Sequence, residues 1–292
     1  AHIYGGPTMS VAMLCEQLNI AGVNASVFTT TANGENELPV ITGQRVNVEG
    51  VEVTYFKRIT KDHTHFSPQL LKNLWSEVSN FDAIHIHAWW NLVSVLSCLI
   101  AVLKNVPVIL SPRGTLSTYS FNNKNAGAKK LIHRSLGKYL LKRITVHATS
   151  VHEKEILTGI VPAENISILP NFVRLPVKEY PVKKEWSGVL KLLFLSRIEP
   201  KKGLDLLIDA LKDIQVPWHL TIAGSGNNDY VDQLKTMAQP YINNKQVIWL
   251  GFQDESKFNL FYNNDLMILP SHDENFGNVV IESLSVGTCA GK

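Results

Sequence analysis

Three features of this 292-residue sequence predict an α/β fold built from two Rossmann-like domains. Apolar β-branched runs alternate with segments of helical period as far as Leu169, the same alternation restarts at Leu190, and a proline-marked stretch separates the two series. A hydrophobic content of 45% is enough for each half to bury a core of its own, which argues against a disordered or fibrous chain.

In the first half, helix is predicted at 10–18, strands at 25–29 and 51–56, helix at 68–78, strand at 83–87, helix at 92–103 and strand at 106–110. That order describes a parallel sheet covered by helices. It continues with a basic helix at 128–142, a strand at 145–148, a short helix at 153–157 and a strand at 166–169. Pro170, Pro176 and Pro181 then break helix and ladder alike, so 170–187 reads as a connection. The resulting division is a domain at 1–172, a linker at 173–189 and a domain at 190–292. In the second domain a buried strand at 190–195 precedes Leu204, Leu207, Ile208 and Leu211 at helical spacing. Strand at 218–223, helix at 230–238, strand at 247–250, helix at 257–262 and strand at 266–269 follow.

Cys15, Cys98 and Cys289 are scattered and form no CxxC pair, which suits a reducing compartment and places the chain in the cytoplasm. The longest apolar stretch, 92–103, is too short to cross a bilayer, and the start of the chain has no basic-then-apolar signal segment. No acidic residue occurs between Asp82 and Glu153. That interval holds Lys104, Arg113, Lys124, Lys129, Lys130, Arg134, Lys138, Lys142 and Arg143. A basic face on the first half would suit peripheral contact with an anionic membrane or an anionic acceptor, although solvated lysines on an ordinary helix explain much of it. Nothing points to nucleic acid.

Ligands of open parallel sheets bind beyond the carboxyl ends of the strands. In the second half Arg197 follows the first strand, Gly224 and Gly226 the second, Gly251 and Phe252 the third, and the segment from Ser271 to Glu274 the fourth. Glu274 and Glu282, with seven residues between them, stand at the start of a predicted helix. The backbone N–H groups from Phe276 to Val280 are expected to be open donors there. Eight helical residues rise roughly 12 Å, more than the about 5 to 9.5 Å that separates a hydrolase carboxylate pair. The two acids are therefore expected to do different work.

The run SRIEPKKG from Ser196 to Gly203, the turn Gly224-Ser225-Gly226, Gly251-Phe252, and Pro270-Ser271 leading into Glu274 and Glu282 resemble the retaining family-four glycosyltransferases of the GT-B fold. Gly5-Gly6-Pro7 and the strand ending in His85-Ile86-His87 extend the likeness over nearly the whole chain. The resemblance implies two domains facing across a cleft, with a UDP-, GDP- or ADP-sugar on the second and a glycan or lipid-linked acceptor on the first. It implies that Arg197 and Lys202 clasp the diphosphate, stabilising the charge that builds as it leaves without a metal. Glu274 would position the donor sugar and Glu282 accept from the nucleotide ribose, while Gly224, Gly226, Phe252, Phe276, Gly277, Asn278 and Val279 line the donor. Gly5 and Gly6 would let the first loop approach the diphosphate. His87 falls on the acceptor side. His85 and His87 share a strand face, but no third ligand of matching logic supports a metal, and no Asp-x-Asp pair occurs.

Three departures stand out. Arg113, in Ser111-Pro112-Arg113-Gly114, occupies a place where the family often has histidine, and its fixed fork suits a donor phosphate or an anionic acceptor. Only Ala1-His2-Ile3-Tyr4 precede the Gly5-Gly6 loop, and the chain ends at Lys292 soon after Thr288, so truncation at both ends and an incomplete second sheet are expected. A sugar-nucleotide epimerase of the same fold and a non-catalytic nucleotide-sugar-binding fragment remain alternatives. A hydrolase would need no basic acceptor face.

Overall fold

The computed structural model describes residues 6–62, 64–117, 120, 136–181, 187–254 and 256–292, and the chain divides into two units, Ala1–Phe172 and Val173–Lys292. Unit 1 begins with helix α1 (Gly6–Ile20), strand β1 (Ser26–Thr30), a hairpin of β2 (Ala32–Asn33) and β3 (Asn36–Glu37), and strands β4 (Arg45–Val48) and β5 (Val51–Phe56). It continues through α2 (Pro68–Glu77), β6 (Ile84–His87), α3 (Leu92–Leu103), β7 (Val108–Ser111), α4 (Lys138–Leu141), β8 (Thr145–Ala148), α5 (Val151–Leu157) and β9 (Ile166–Ile168). Most of the basic helix expected at 128–142 lies outside the described residues; α4 is the part within them.

Local chemistry starts these helices. Ser67, Asn91 and Ser150 each accept a backbone N–H of the first turn of α2, α3 and α5. Strands β6, β7, β8 and β9 form one wholly parallel sheet in that order, so their carboxyl ends share an edge. Its core packs Val95, Cys98 and Ala101 of α3 with Ile86, Leu110 and Val146 of the strands.

The first half is not the purely parallel sheet that its alternation leads one to expect. β1 and β5 pair in parallel in a separate ladder, and β4 joins β5 antiparallel. The reversal comes from Glu49 and Gly50, both at positive φ (52° and 84°), which make a two-residue hairpin turn. The Asn47 side chain accepts the Gly50 N–H at 3.0 Å and closes it.

Unit 2 runs β10 (Leu190–Leu195), a 3-10 turn (Pro200–Lys202), α6 (Leu204–Ala210), β11 (Trp218–Ala223), α7 (Asn228–Met237), α8 (Gln239–Asn243), β12 (Val247–Gly251), α9 (Lys257–Asn263), β13 (Leu266–Ile268), α10 (Asn278–Leu284) and β14 (Cys289–Gly291). All five strands are parallel, in the order β12-β11-β10-β13-β14. The strand order reverses between β10 and β13, which makes their carboxyl ends the switch point where such sheets take ligands. Leu193, Phe194, Ile222 and Met267 form the dry centre with Leu204, Leu207 and Ile208. The segment after Thr288 supplies β14, in register with β13 from Leu266 opposite Cys289. The Thr288 hydroxyl anchors it by donating to the Phe261 carbonyl at 2.6 Å. Small residues gave this strand no β-branched signature.

Among the described residues no helix is long and apolar enough to cross a membrane, and no three His, Cys, Asp or Glu side chains gather as a metal cage.

Candidate functional site

At the switch point of unit 2, two loops are locked together by glycine. The segment after β10 continues the ladder: Ser196 N–H donates to the Ala223 carbonyl at 3.2 Å and Ile198 N–H to the Ser225 carbonyl at 2.8 Å. A Cβ on Gly224, whose φ is 147°, would overlap the Ser196 carbonyl oxygen, and one on Gly226 would overlap that of Ile198. The Gly224-Ser225-Gly226 turn thus seats the backbone on either side of Arg197. Gly203, at φ 67°, lies against the Pro270 carbonyl, where a Cβ would collide. That contact brings 200–203 onto the end of β13, and His272 N–H donates to the Lys201 carbonyl at 2.9 Å.

The side chains follow the backbone. Lys201 pairs with Asp273 at 3.0 Å, and Lys202 Nζ donates to Glu274 Oε2 at 2.6 Å. Lys202 keeps only 12% of its side-chain exposure, whereas Arg197 keeps 42% and pairs with Glu199 at 2.7 Å. Lys202 and Glu274, predicted as separate donor contacts, are therefore one ion pair, with the more accessible guanidinium anchored by its own loop.

Glu274 and Glu282 do not share a helix. α10 begins at Asn278 after Gly277 in the left-handed region (φ 71°), leaving Glu274 in the preceding loop. The expectation of open donors up to Val280 is corrected too, because Val280 N–H donates to the Gly277 carbonyl at 2.8 Å. Val279 packs its side chain on the unit 2 core. Phe276 and Asn278 are half-buried, and Phe252 is exposed. Glu282 is buried and receives Lys257 Nζ at 2.8 Å. Burial pushes its carboxyl up, with Lys257 opposing that rise. Sequence reasoning missed Lys257, since nothing local links the first residue of α9 to an acid in α10.

Unit 1 gathers a second polar cluster where β6, β7 and β8 end. Arg113 Nε donates to His87 Nδ1 at 3.3 Å and its Nη1 to Asn171 Oδ1 at 2.7 Å. The His85 ring lies 4.3 Å from that of His87, as their shared strand face predicts. Behind them a chain of bonds runs from His85 Nε2 to Ser111 Oγ (2.8 Å), on to His147 Nδ1 (2.8 Å), and from His147 Nε2 to the Leu169 carbonyl (2.7 Å). Glu153, buried, receives Gly114 N–H at 2.8 Å and the Thr149 N–H and hydroxyl at 2.8 and 3.0 Å, which fixes the loop carrying Arg113. Ser111, His147, Glu153 and Asn171 were not singled out by the sequence. Gly6 opens α1, where an added Cβ would point into open space. Gly5 lies outside the described residues.

Burial, then the charges of His147 and Arg113, push the His85 imidazole down to about 4, and burial with the charges of His85, Arg113 and His147 holds His87 well below its usual 6.5. A group that resists its proton when folded but takes it when unfolded lends stability above pH 6.5, and that stability is lost as pH falls toward 4. For His85 the loss between pH 7 and pH 5 is about 2 kcal/mol. Urea unfolding at the two pH values measures it, and His85→Asn should shrink the difference by that amount.

Sequence comparison divides the chain as its contacts do. A family model described as Glycosyltransferase Family 4 matches residues 4–175, and one described as Glycosyl transferases group 1 matches 178–290. The chain is 22% identical to MJ1607 of Methanocaldococcus jannaschii, named an uncharacterized glycosyltransferase, over 83% of this chain and 66% of that protein. It is 23% identical to a 41.2 kDa protein in the cps region of Klebsiella pneumoniae, over 96% and 79%. Among solved structures, Anabaena HepE in complex with UDP and glucose superposes with a TM-score of 0.71 at 17% identity, over 98% of this chain and 76% of that one. The chain thus spans just under two thirds of the first of these relatives. The parallel α/β units are those of the GT-B fold. Since the first family model alone covers more than half of the sequence and the second takes up where it ends, the chain belongs to glycosyltransferase family 4.

Proposed function

We propose that this chain transfers a hexose from a nucleoside diphosphate sugar to a hydroxyl of a glycan or lipid-linked saccharide, with retention and without a metal. The observation that carries the reading is the lock between 196–203 and 270–274, which sets Lys202 against Glu274 beside Arg197 at the switch point of a parallel sheet. Before donor binds, Glu274 holds the Lys202 ammonium in place. Diphosphate oxygens would compete for that ammonium, releasing a carboxylate oxygen to accept from a sugar hydroxyl. As the glycosidic bond to the diphosphate breaks, Lys202 and Arg197 offset the charge left on the leaving group. Glu282, held by Lys257, offers its remaining lone pairs to the ribose hydroxyls. The exposed Lys138, Lys142 and Arg143 on and after α4 support contact with an anionic membrane at the cytoplasmic face.

Isothermal titration with UDP-, GDP- and ADP-sugars tests the reading, with UDP-glucose first because HepE was solved with UDP and glucose. One donor should bind saturably in EDTA, and Arg197→Ala and Glu274→Gln should weaken it. Product anomeric configuration by NMR tests retention, and flotation with anionic against zwitterionic vesicles tests the membrane contact. A folded chain that binds none of the donors would sink the proposal.

A further inference from the structure

The hydrogen bonds of the unit 1 cluster fix where protons sit. A guanidinium N–H can only donate, so His87 Nδ1, 3.3 Å from Arg113 Nε, is an acceptor and the ring carries its proton on Nε2. The chain behind it is directional as well. A carbonyl can only accept, so a neutral His147 donates from Nε2 to Leu169 and accepts the Ser111 hydroxyl on Nδ1. The Ser111 oxygen then accepts from His85 Nε2–H. His85, thereby oriented, stacks on His87. With Nε and Nη1 of Arg113 engaged, the donors left on the pair are the Nη2 amino group of Arg113 and the Nε2–H of His87, while Nδ1 of the neighbouring His85 ring keeps a lone pair.

Charge points the same way. Every Asp and Glu of residues 1–172 is among the described residues, and none lies within 4.0 Å of an Arg113 nitrogen. Glu153 attracts Arg113 from beyond that distance, and its own oxygens are occupied by Gly114 and Thr149. A largely buried cation lacking a counterion in its own unit is costly to keep unless a ligand supplies one. The backbone is strained in the same region: Ala88 and Arg113, both non-glycine, stand at φ 64° and 52° just beyond the ends of β6 and β7.

We propose that Arg113 and the Nε2–H of His87 form a recognition site for one anionic oxygen group, a carboxylate or a phosphate, carried by the acceptor. Assignment to the acceptor rests on the transferase reading above, with unit 1 as the acceptor side; the anion site itself rests on the unit 1 geometry. The arrangement would select an acid sugar or a phosphorylated saccharide over a neutral one.

The test uses the full chain with 15N-labelled histidine, the His87 ring signals being assigned by their absence from His87→Gln. The free protein should show His87 protonated on Nε2. Titration with D-glucuronate and with inorganic phosphate should shift these signals saturably, while D-glucose should not, and the more effective anion identifies the group as carboxylate or phosphate. Arg113→Gln should weaken that binding at least tenfold, and Arg113→Lys should restore part of it. An Nδ1-protonated His87, an equal response to glucose, or unchanged anion binding in Arg113→Gln overturns the proposal; the first two are read on wild-type protein and need no variant to fold. UDP added to the same samples separates the two readings. Loss of UDP binding in Arg113→Gln assigns Arg113 to the donor and overturns its acceptor role. Anion binding in a wild-type chain that never binds UDP upholds the anion site while the transferase reading fails.

Discussion

Gly224→Ala should lower the stability of the protein by about 4 kcal/mol, the sum of a backbone strain and an overpacking term. At φ 147° an L-residue is strained whatever the space around it, and here the added methyl would also enter the Ser196 carbonyl oxygen. The neighbour has little room to yield. Ser196 N–H is tied to the Ala223 carbonyl, Ile198 N–H to the Ser225 carbonyl, and Gly224 N–H to the Gly251 carbonyl at 2.7 Å. Relief must therefore come from moving the segment that carries Arg197, so donor binding should weaken together with stability. Gly251→Ala is the control. Its φ is also positive, at 69°, but nothing lies within 4 Å of the added methyl, so it should cost only about 1 to 2 kcal/mol. Urea unfolding of the two variants, compared at unchanged slope, decides the matter. If Gly224→Ala lost no more than Gly251→Ala, the turn would not be a packing contact.

This turn also shows what a sequence can and cannot reveal. The strands of unit 2 are legible because 192–195 is a fully buried apolar run and 218–223 sets Trp218, Leu220 and Ile222 inside with His219 exposed between them, and the parallel order then places every following loop at one edge. That a glycine follows a strand is equally plain, but the reason it must be glycine is the carbonyl of a residue far away in sequence, which no local pattern encodes. The ion pairs share this property. Lys202 with Glu274 and Lys257 with Glu282 join residues 72 and 25 positions apart, so the charges were visible and their partners were not. His85 and His87 were predicted to share a face because strand periodicity is local. Ser111 and His147, which complete the chain behind them, come from neighbouring strands, and only the pairing of β6, β7 and β8 brings them together. β4 and β14 were missed for the opposite reason: the strands are short, at 4 and 3 residues, and their composition is not distinctive.

Lys202→Ala should reduce turnover on the order of a hundredfold, as expected when one fixed donor to a developing anion is lost. Two features of its environment argue for so large an effect from a single lysine. Its ammonium is mostly removed from solvent, so its field on the leaving group is weakly screened, and Glu274 with the 200–203 turn fixes its position before substrate arrives. Substrate binding should change less than the rate, because the charge it offsets grows only as the bond breaks. Glu274→Gln keeps a hydrogen-bond acceptor but frees the ammonium from its ion pair, and the two groups act on the same reacting sugar. The double variant Lys202→Ala/Glu274→Gln should consequently lose much less than the product of the single losses. Steady-state kinetics with the donor identified by titration gives all four rates. A loss below tenfold in Lys202→Ala, or strictly multiplicative losses in the pair, would show that the locked loops hold the fold together without serving the reaction. Strong coupling would instead tie the ion pair at the switch point to the departure of the diphosphate.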